Sequence, residues 1–159
     1  MSIFPFKHIT IIGLGLMGGS LARAIKSHEP ACQVTGCNTR ETSVKEALAL
    51  GIVDHATTDL VTAVQPADLV VLSAPLGRYI PILETIAPHL KPGTIITDVG
   101  SVKGCVVETA MAVLPSPLLP FFVPGHPIAG SEQSGASSSD ARLYERKRVI
   151  LTPIAATDT

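Results

Sequence analysis

Short apolar runs and helically spaced apolar positions alternate along almost the whole chain. The runs at residues 7–12, 33–38, 68–74, 94–99, 121–123 and 148–152 read as strands. Four of them are nearly continuous, as expected where a sheet is covered on both faces. Between them, residues 18–27, 42–50, 79–89 and 102–113 repeat apolar side chains at helical spacing, and a shorter helix is expected over 138–144. Gly51 stops the second helix, and Pro92-Gly93 turns the chain into a strand. Alternation of this kind predicts an α/β fold of Rossmann type, doubly wound around a mainly parallel sheet.

Composition narrows the function classes. The chain has 159 residues, enough for one domain with a sizeable core, and 46% of them are hydrophobic. A net charge of -1 gives no electrostatic footprint for nucleic acid. No apolar run is long enough to span a bilayer, and residues 1–7 lack the order of a signal peptide. Cys32, Cys37 and Cys105 are an odd number without metal-ligand spacing, so reduced thiols, a cytoplasmic location and no metal are expected.

The first candidate site is GLGLMG at residues 13–18, which leaves a strand and opens a helix. That context makes the motif a dinucleotide loop. Gly13 allows the tight turn, Gly15 lets the backbone approach the pyrophosphate, and Gly18 lets helix and strand pack closely. Leu16 and Met17 complete the loop, whose free N–H groups face the phosphates. Ala74 and Pro75, at the end of the 68–74 strand, are expected beside the same cofactor, because ligands sit at strand C-termini. At the end of the second strand an acid usually holds the ribose hydroxyls of NAD. This chain has Asn38-Thr39-Arg40 instead, two hydrogen-bonding side chains and a cation that suit a 2′-phosphate. NADP is therefore favoured over NAD.

Two further segments carry chemistry. In TDVGSVK, residues 97–103, Ser101 can hydrogen-bond substrate or nicotinamide and Lys103 can hold a carboxylate; the alternative is a capping serine and a surface lysine. In GHPIAGSE, residues 125–132, His126 lies just after a strand on a glycine-rich loop, where an imidazole can accept a proton near neutral pH. Glu132 follows on that loop and can orient a partner or gate the site. His8, His28, His55 and His89 have no such setting.

These segments, GLGLMGGSLA at 13–22, TDVGSVK at 97–103, GHPIAGSEQSG at 125–135 and LYERKRVILTP at 143–153, resemble the prephenate and arogenate dehydrogenases of tyrosine biosynthesis. The first motif is shared with β-hydroxyacid dehydrogenases; the combination is not. The resemblance implies oxidative decarboxylation of prephenate to 4-hydroxyphenylpyruvate, or of arogenate to tyrosine, with hydride passing to the nicotinamide. It implies that His126 accepts the hydrogen bond of the ring hydroxyl, that Ser101 contacts the same hydroxyl and the nicotinamide region, and that Glu132 lies near the entrance. It also implies a C-terminal helical domain that makes a homodimer and supplies an arginine for the substrate carboxylate.

The last strand candidate is followed only by a polar stub, residues 153–159. The expectation is thus a cofactor domain over 1–159 that stops before its last helix and strand and before that helical domain. A non-catalytic NADP-binding sensor is the competing class; His126 argues against it, because a sensor needs no base opposite the nicotinamide. A β-hydroxyacid dehydrogenase would want a catalytic lysine on a later helix.

Overall fold

Ile9 and Ile11 point to one side of the first strand, Thr10 and Ile12 to the other, and both sides are buried. A strand of that kind needs helices on each face, and the computed structural model, which describes residues 4–158, has them. Strands β1 (His8–Ile12), β2 (Gln33–Cys37), β3 (His55–Thr57), β4 (Leu69–Leu72), β5 (Ile95–Asp98) and β6 (Phe122–Val123) form one sheet in the order β3-β2-β1-β4-β5-β6. Every neighbouring pair is parallel. The order reverses between β1 and β4, which is where a doubly wound sheet opens a crevice at its carboxyl edge.

Helices α1 (Leu16–His28) and α2 (Glu41–Ala49) cover the face carrying Ile9, Ile11, Val34 and Val71. Helices α3 (Leu60–Val64), α4 (Tyr79–Ile86) and α5 (Lys103–Val113) cover the face carrying Ile12, Val70, Leu72 and Ile96. Each fully buried Ile or Leu contributes about 1.5–3 kcal/mol, so the two apolar layers fix the strands that hold the crevice.

Four elements differ from the sequence pattern. β3 and α3 carry no long apolar run: β3 is a three-residue edge strand, and α3 is started by Asp59, whose carboxylate accepts from the N–H groups of Val61 and Thr62 at 3.2 and 3.3 Å. The helix expected over 138–144 does not form. A single 3-10 turn at Ala136–Ser138 and further turns stand there instead. Ser139 Oγ donates to the Ala136 carbonyl at 2.6 Å and Asp140 accepts from the Arg142 N–H at 2.9 Å, local bonds that compete with a helical ladder. The run at 148–152 is a strand, β8 (Val149–Leu151), but it lies outside the main sheet. It pairs antiparallel with β7 (Gly125–Pro127).

Asp68 staples the amino edge of the sheet, accepting from the N–H groups of Lys7 and His8 and from Lys91 Nζ at 2.6 Å. The Lys91 bond, with the backbone donors, holds its carboxyl down to about 2. A carboxyl depressed in the fold stabilises it above the unfolded value and loses that contribution as pH falls through the folded value. Acid unfolding followed by circular dichroism should therefore show stability falling between about pH 4 and pH 2, and Asp68→Asn should flatten that limb. An unchanged acid limb would remove Asp68 from it.

The dinucleotide cleft and the histidine loop

The carboxyl ends of β1, β2, β4 and β5 open onto one cleft of about 930 Å³, in the size range of a cofactor site. Gly13 turns the chain out of β1 with φ of 99°, a conformation open to glycine, and a Cβ there would meet the Ser73 carbonyl oxygen at 2.5 Å. A Cβ on Gly18 would lie 2.0 Å from the Gly13 carbonyl oxygen, so α1 sits against the loop only because that residue has no side chain. Gly15 is different. It begins α1 with φ of -78°, and a Cβ there would meet nothing within 4 Å.

The cleft is lined by Gly13, Gly15, Leu16 and Met17 from this loop, by Asn38 and Thr39 after β2, by Ala74 and Pro75 after β4, and by Ser101 after β5. Gly18 lies behind the loop. Arg40 stands exposed at the start of α2 and is not part of the wall. Cys37 forms part of the floor, and burial, then the charge of Asp59, pushes its thiol up to about 11, so it is a neutral surface. Sequence reasoning missed Thr58, Leu60, Arg78 and Ile82, which also line the cleft. The Asp59 cap was a readable sign of the helix that brings Leu60 there.

Two observations test whether a dinucleotide fits. Ser73 Oγ is buried and is the one such side-chain atom without a partner among the described residues. It faces the cleft beside the glycine loop, and an orphaned buried hydroxyl calls for a polar partner. Among the described residues no acidic side chain lines the cleft, so nothing in that wall repels phosphates. The residues present fit the group.

The second motif is built around Asp98, whose side chain is fully buried at the end of β5. Its Oδ2 accepts from Gly100 N at 2.9 Å, from Tyr79 Oη at 3.5 Å and from Lys103 Nζ; its Oδ1 accepts from Gly125 N at 3.1 Å. Burial, then the Asp98 charge, pushes the Tyr79 hydroxyl well above its ordinary value. Lys103 Nζ also donates to the Gly125 carbonyl at 2.6 Å. The ammonium expected to hold a substrate carboxylate is thus placed inward, between Asp98 and the histidine loop, and lines neither the cleft nor the depression at His126. Ser101 does not cap α5, which starts without a side-chain cap, and it lines the cleft.

Gly125, held at both its N–H and its carbonyl, delivers His126 on β7 opposite Ile150 of β8. His126 is half-buried and faces an open depression of about 400 Å³ formed with Pro127, Ile128, Ala129, Gly130 and Lys147. Gly130 lines both this depression and the dinucleotide cleft. Beyond it, Ser131, Gln133, Ser134 and Gly135 border the cleft; Glu132 is exposed and does not line it. The segment that follows is tied to α1 by Arg23 Nε to Ser139 Oγ at 2.8 Å, Asp140 N to Ser20 Oγ at 3.0 Å and Tyr144 Oη to the Met17 carbonyl at 2.9 Å.

With this geometry in place, a family model described as "Prephenate dehydrogenase, nucleotide-binding domain" matches residues 21–159. The chain belongs to that family. It is 43% identical over 152 residues to a cyclohexadienyl dehydrogenase of Zymomonas mobilis, covering 96% of this chain and 51% of the relative. It is 38% identical to a prephenate dehydrogenase of Bacillus subtilis, covering 94% of this chain and 40% of the relative. The chain thus spans about half the length of these curated relatives or less. Its fold matches a crystal structure of prephenate dehydrogenase from A. aeolicus in complex with hydroxyphenyl propionate and NAD+ with a TM-score of 0.89 and 36% identity, over 99% of this chain and 54% of that one. The family model starts beyond the glycine loop, whereas the structural match takes it in. Among the described residues no helix is long and apolar enough to cross a membrane.

Proposed function

We propose that residues 1–159 are the cofactor-binding part of a cytoplasmic prephenate dehydrogenase, which converts prephenate to 4-hydroxyphenylpyruvate and carbon dioxide. The observation that carries this reading is the junction at Gly130, where the dinucleotide cleft meets the depression holding His126. Bound in the cleft, the nicotinamide supplies the hydride acceptor. His126 accepts the proton of the ring hydroxyl as carbonyl character develops, and Ser101 orients that hydroxyl from the cleft side. The Asp98–Lys103 pair fixes Gly125 and so sets where the imidazole stands. Glu132, exposed on the same loop, serves the entrance. In this reading a further, helical segment of the protein closes over the open depression at His126, supplies a cation for the substrate carboxylate and makes a homodimer.

The cofactor is NADP in this reading. Asn38 and Thr39 line the cleft and no acid stands with them, while Arg40 lies one residue further on. Binding of NADPH and NADH, read from reduced-nicotinamide fluorescence, should favour NADPH. Arg40→Ala should weaken NADPH by about 1–3 kcal/mol, the range of a charged hydrogen bond, and leave NADH nearly unchanged. Equal or tighter NADH binding would overturn the preference. The reaction is tested by product analysis. The enzyme with its substrate-closing segment should form equal amounts of reduced cofactor and 4-hydroxyphenylpyruvate from prephenate, and residues 1–159 alone should turn it over poorly. Tyrosine formed only from arogenate would change the substrate; no cofactor reduction with either would end the reading.

A further inference from the structure

Among the residues that line the dinucleotide cleft, a single side chain is charged: Arg78. It ends the 3-10 turn at Leu76–Arg78, directly after β4, and its backbone is fixed on both sides. Arg78 N donates to the Pro75 carbonyl at 2.8 Å, and the next residue, Tyr79, is buried with its hydroxyl on the Leu72 carbonyl at 3.1 Å. The guanidinium has no ion pair or hydrogen bond among the described residues, whereas Lys26, Lys91 and Lys103 are each paired with an aspartate. A cation is thus anchored at the wall of an acid-free cleft with its charge uncommitted.

Its place along the cleft follows from the sheet order. β4 adjoins β1, so the loop after β4 packs against the glycine loop: a Cβ on Gly13 would lie 2.5 Å from the Ser73 carbonyl oxygen, and one on Gly18 would lie 3.0 Å from Ser73 Oγ. The loop after β2, with Asn38 and Thr39, is separated from it by β1. Ser73 Oγ therefore stands beside the glycine loop, where the dinucleotide carries its two pyrophosphate charges, and Arg78 lines the same cleft from the turn that follows on that chain segment. The glycine loop offers N–H groups and a helix end but no cation, whereas a guanidinium matches a diphosphate with paired, charge-assisted hydrogen bonds.

We propose that Arg78, carried on the loop after β4, is the cation that holds the cofactor pyrophosphate beside the glycine loop. This rests on the reading of the cleft as a nicotinamide dinucleotide site, and it assigns Arg78 a role common to NAD and NADP. The test measures dissociation constants of NADPH, NADH, ADP and adenosine for the wild-type chain, Arg78→Ala and Arg78→Lys. Arg78 is exposed and bonds no other side chain, so both variants should melt with the wild-type protein. Arg78→Ala should weaken NADPH, NADH and ADP by one common factor, about 10–100-fold, the range of a charged hydrogen bond. Adenosine should be unaffected, and Arg78→Lys should recover part of the loss. The salt dependence of dinucleotide binding should also become shallower in Arg78→Ala.

A loss confined to NADPH would move Arg78 to the 2′-phosphate and overturn the proposal. An equal loss for adenosine would make it a stacking residue and overturn it too, as would no loss at all. A wild-type chain that binds neither dinucleotide would instead bring down the cofactor reading beneath it.

Discussion

Replacing His126 with alanine should lower kcat of the complete enzyme by about 10²–10⁴-fold, the usual worth of a positioned general base. Cofactor affinity should hardly change, because the proposed site of the phosphates is the glycine loop and His126 lies in the neighbouring depression. His126→Asn should keep some hydrogen bonding but lose the proton acceptor, and so recover little of the rate. Steady-state kinetics and cofactor titration check both points. A His126→Ala enzyme with the wild-type kcat would reduce the GHPIAG segment to a structural turn.

The second large effect separates glycines needed for the fold from one needed for the ligand. Gly18→Ala brings a methyl to 2.0 Å from the Gly13 carbonyl oxygen. Backbone cannot yield as a side chain does, so α1 must shift from β1, at a cost of at least about 1–3 kcal/mol for overpacking. Gly15→Ala meets nothing, and its φ of -78° is open to alanine. Neither conformation nor packing requires glycine there, which leaves the close approach of a pyrophosphate as the reason. Gly15→Ala should thus keep the wild-type melting temperature yet bind NADPH at least about 10-fold more weakly, whereas Gly18→Ala should lose both. Thermal melts and cofactor titration of the two variants distinguish them. Undiminished binding by a well-folded Gly15→Ala chain would mean that the pyrophosphate lies elsewhere.

Much of this site was legible because its signals are local. GLGLMG between an apolar strand and a helical repeat needs no tertiary information, and the apolar runs of β1, β2, β4 and β5 report burial on both faces directly. The glycines around His126 and the strand before it drew attention to the segment, but the structure sets the residue on the short strand β7, at the depression, rather than on a loop. Contacts made by folding were not. Lys103 and Asp98 are five residues apart in sequence, but that the ammonium turns inward to Gly125 depends on how β7 packs on β5. Arg40 follows β2 at a distance that sequence spacing shows; Arg78 reaches the cleft through the loop after β4, which sequence spacing does not show. β3 escaped because a three-residue edge strand, His55–Thr57, needs no apolar run. The 138–144 helix failed because serine and aspartate side chains satisfy the local backbone first.

The central claim, that this cleft holds a nicotinamide dinucleotide, is tested most directly by titrating the 159-residue chain into NADPH and following the nicotinamide emission. The chain has no Trp, so protein emission interferes little. The account predicts a saturable change with one site per chain, reversed by NADP+ and by ADP but not by adenosine alone at the same concentration. Emission that does not saturate, or that changes equally for the wild-type chain and Gly15→Ala, would contradict it.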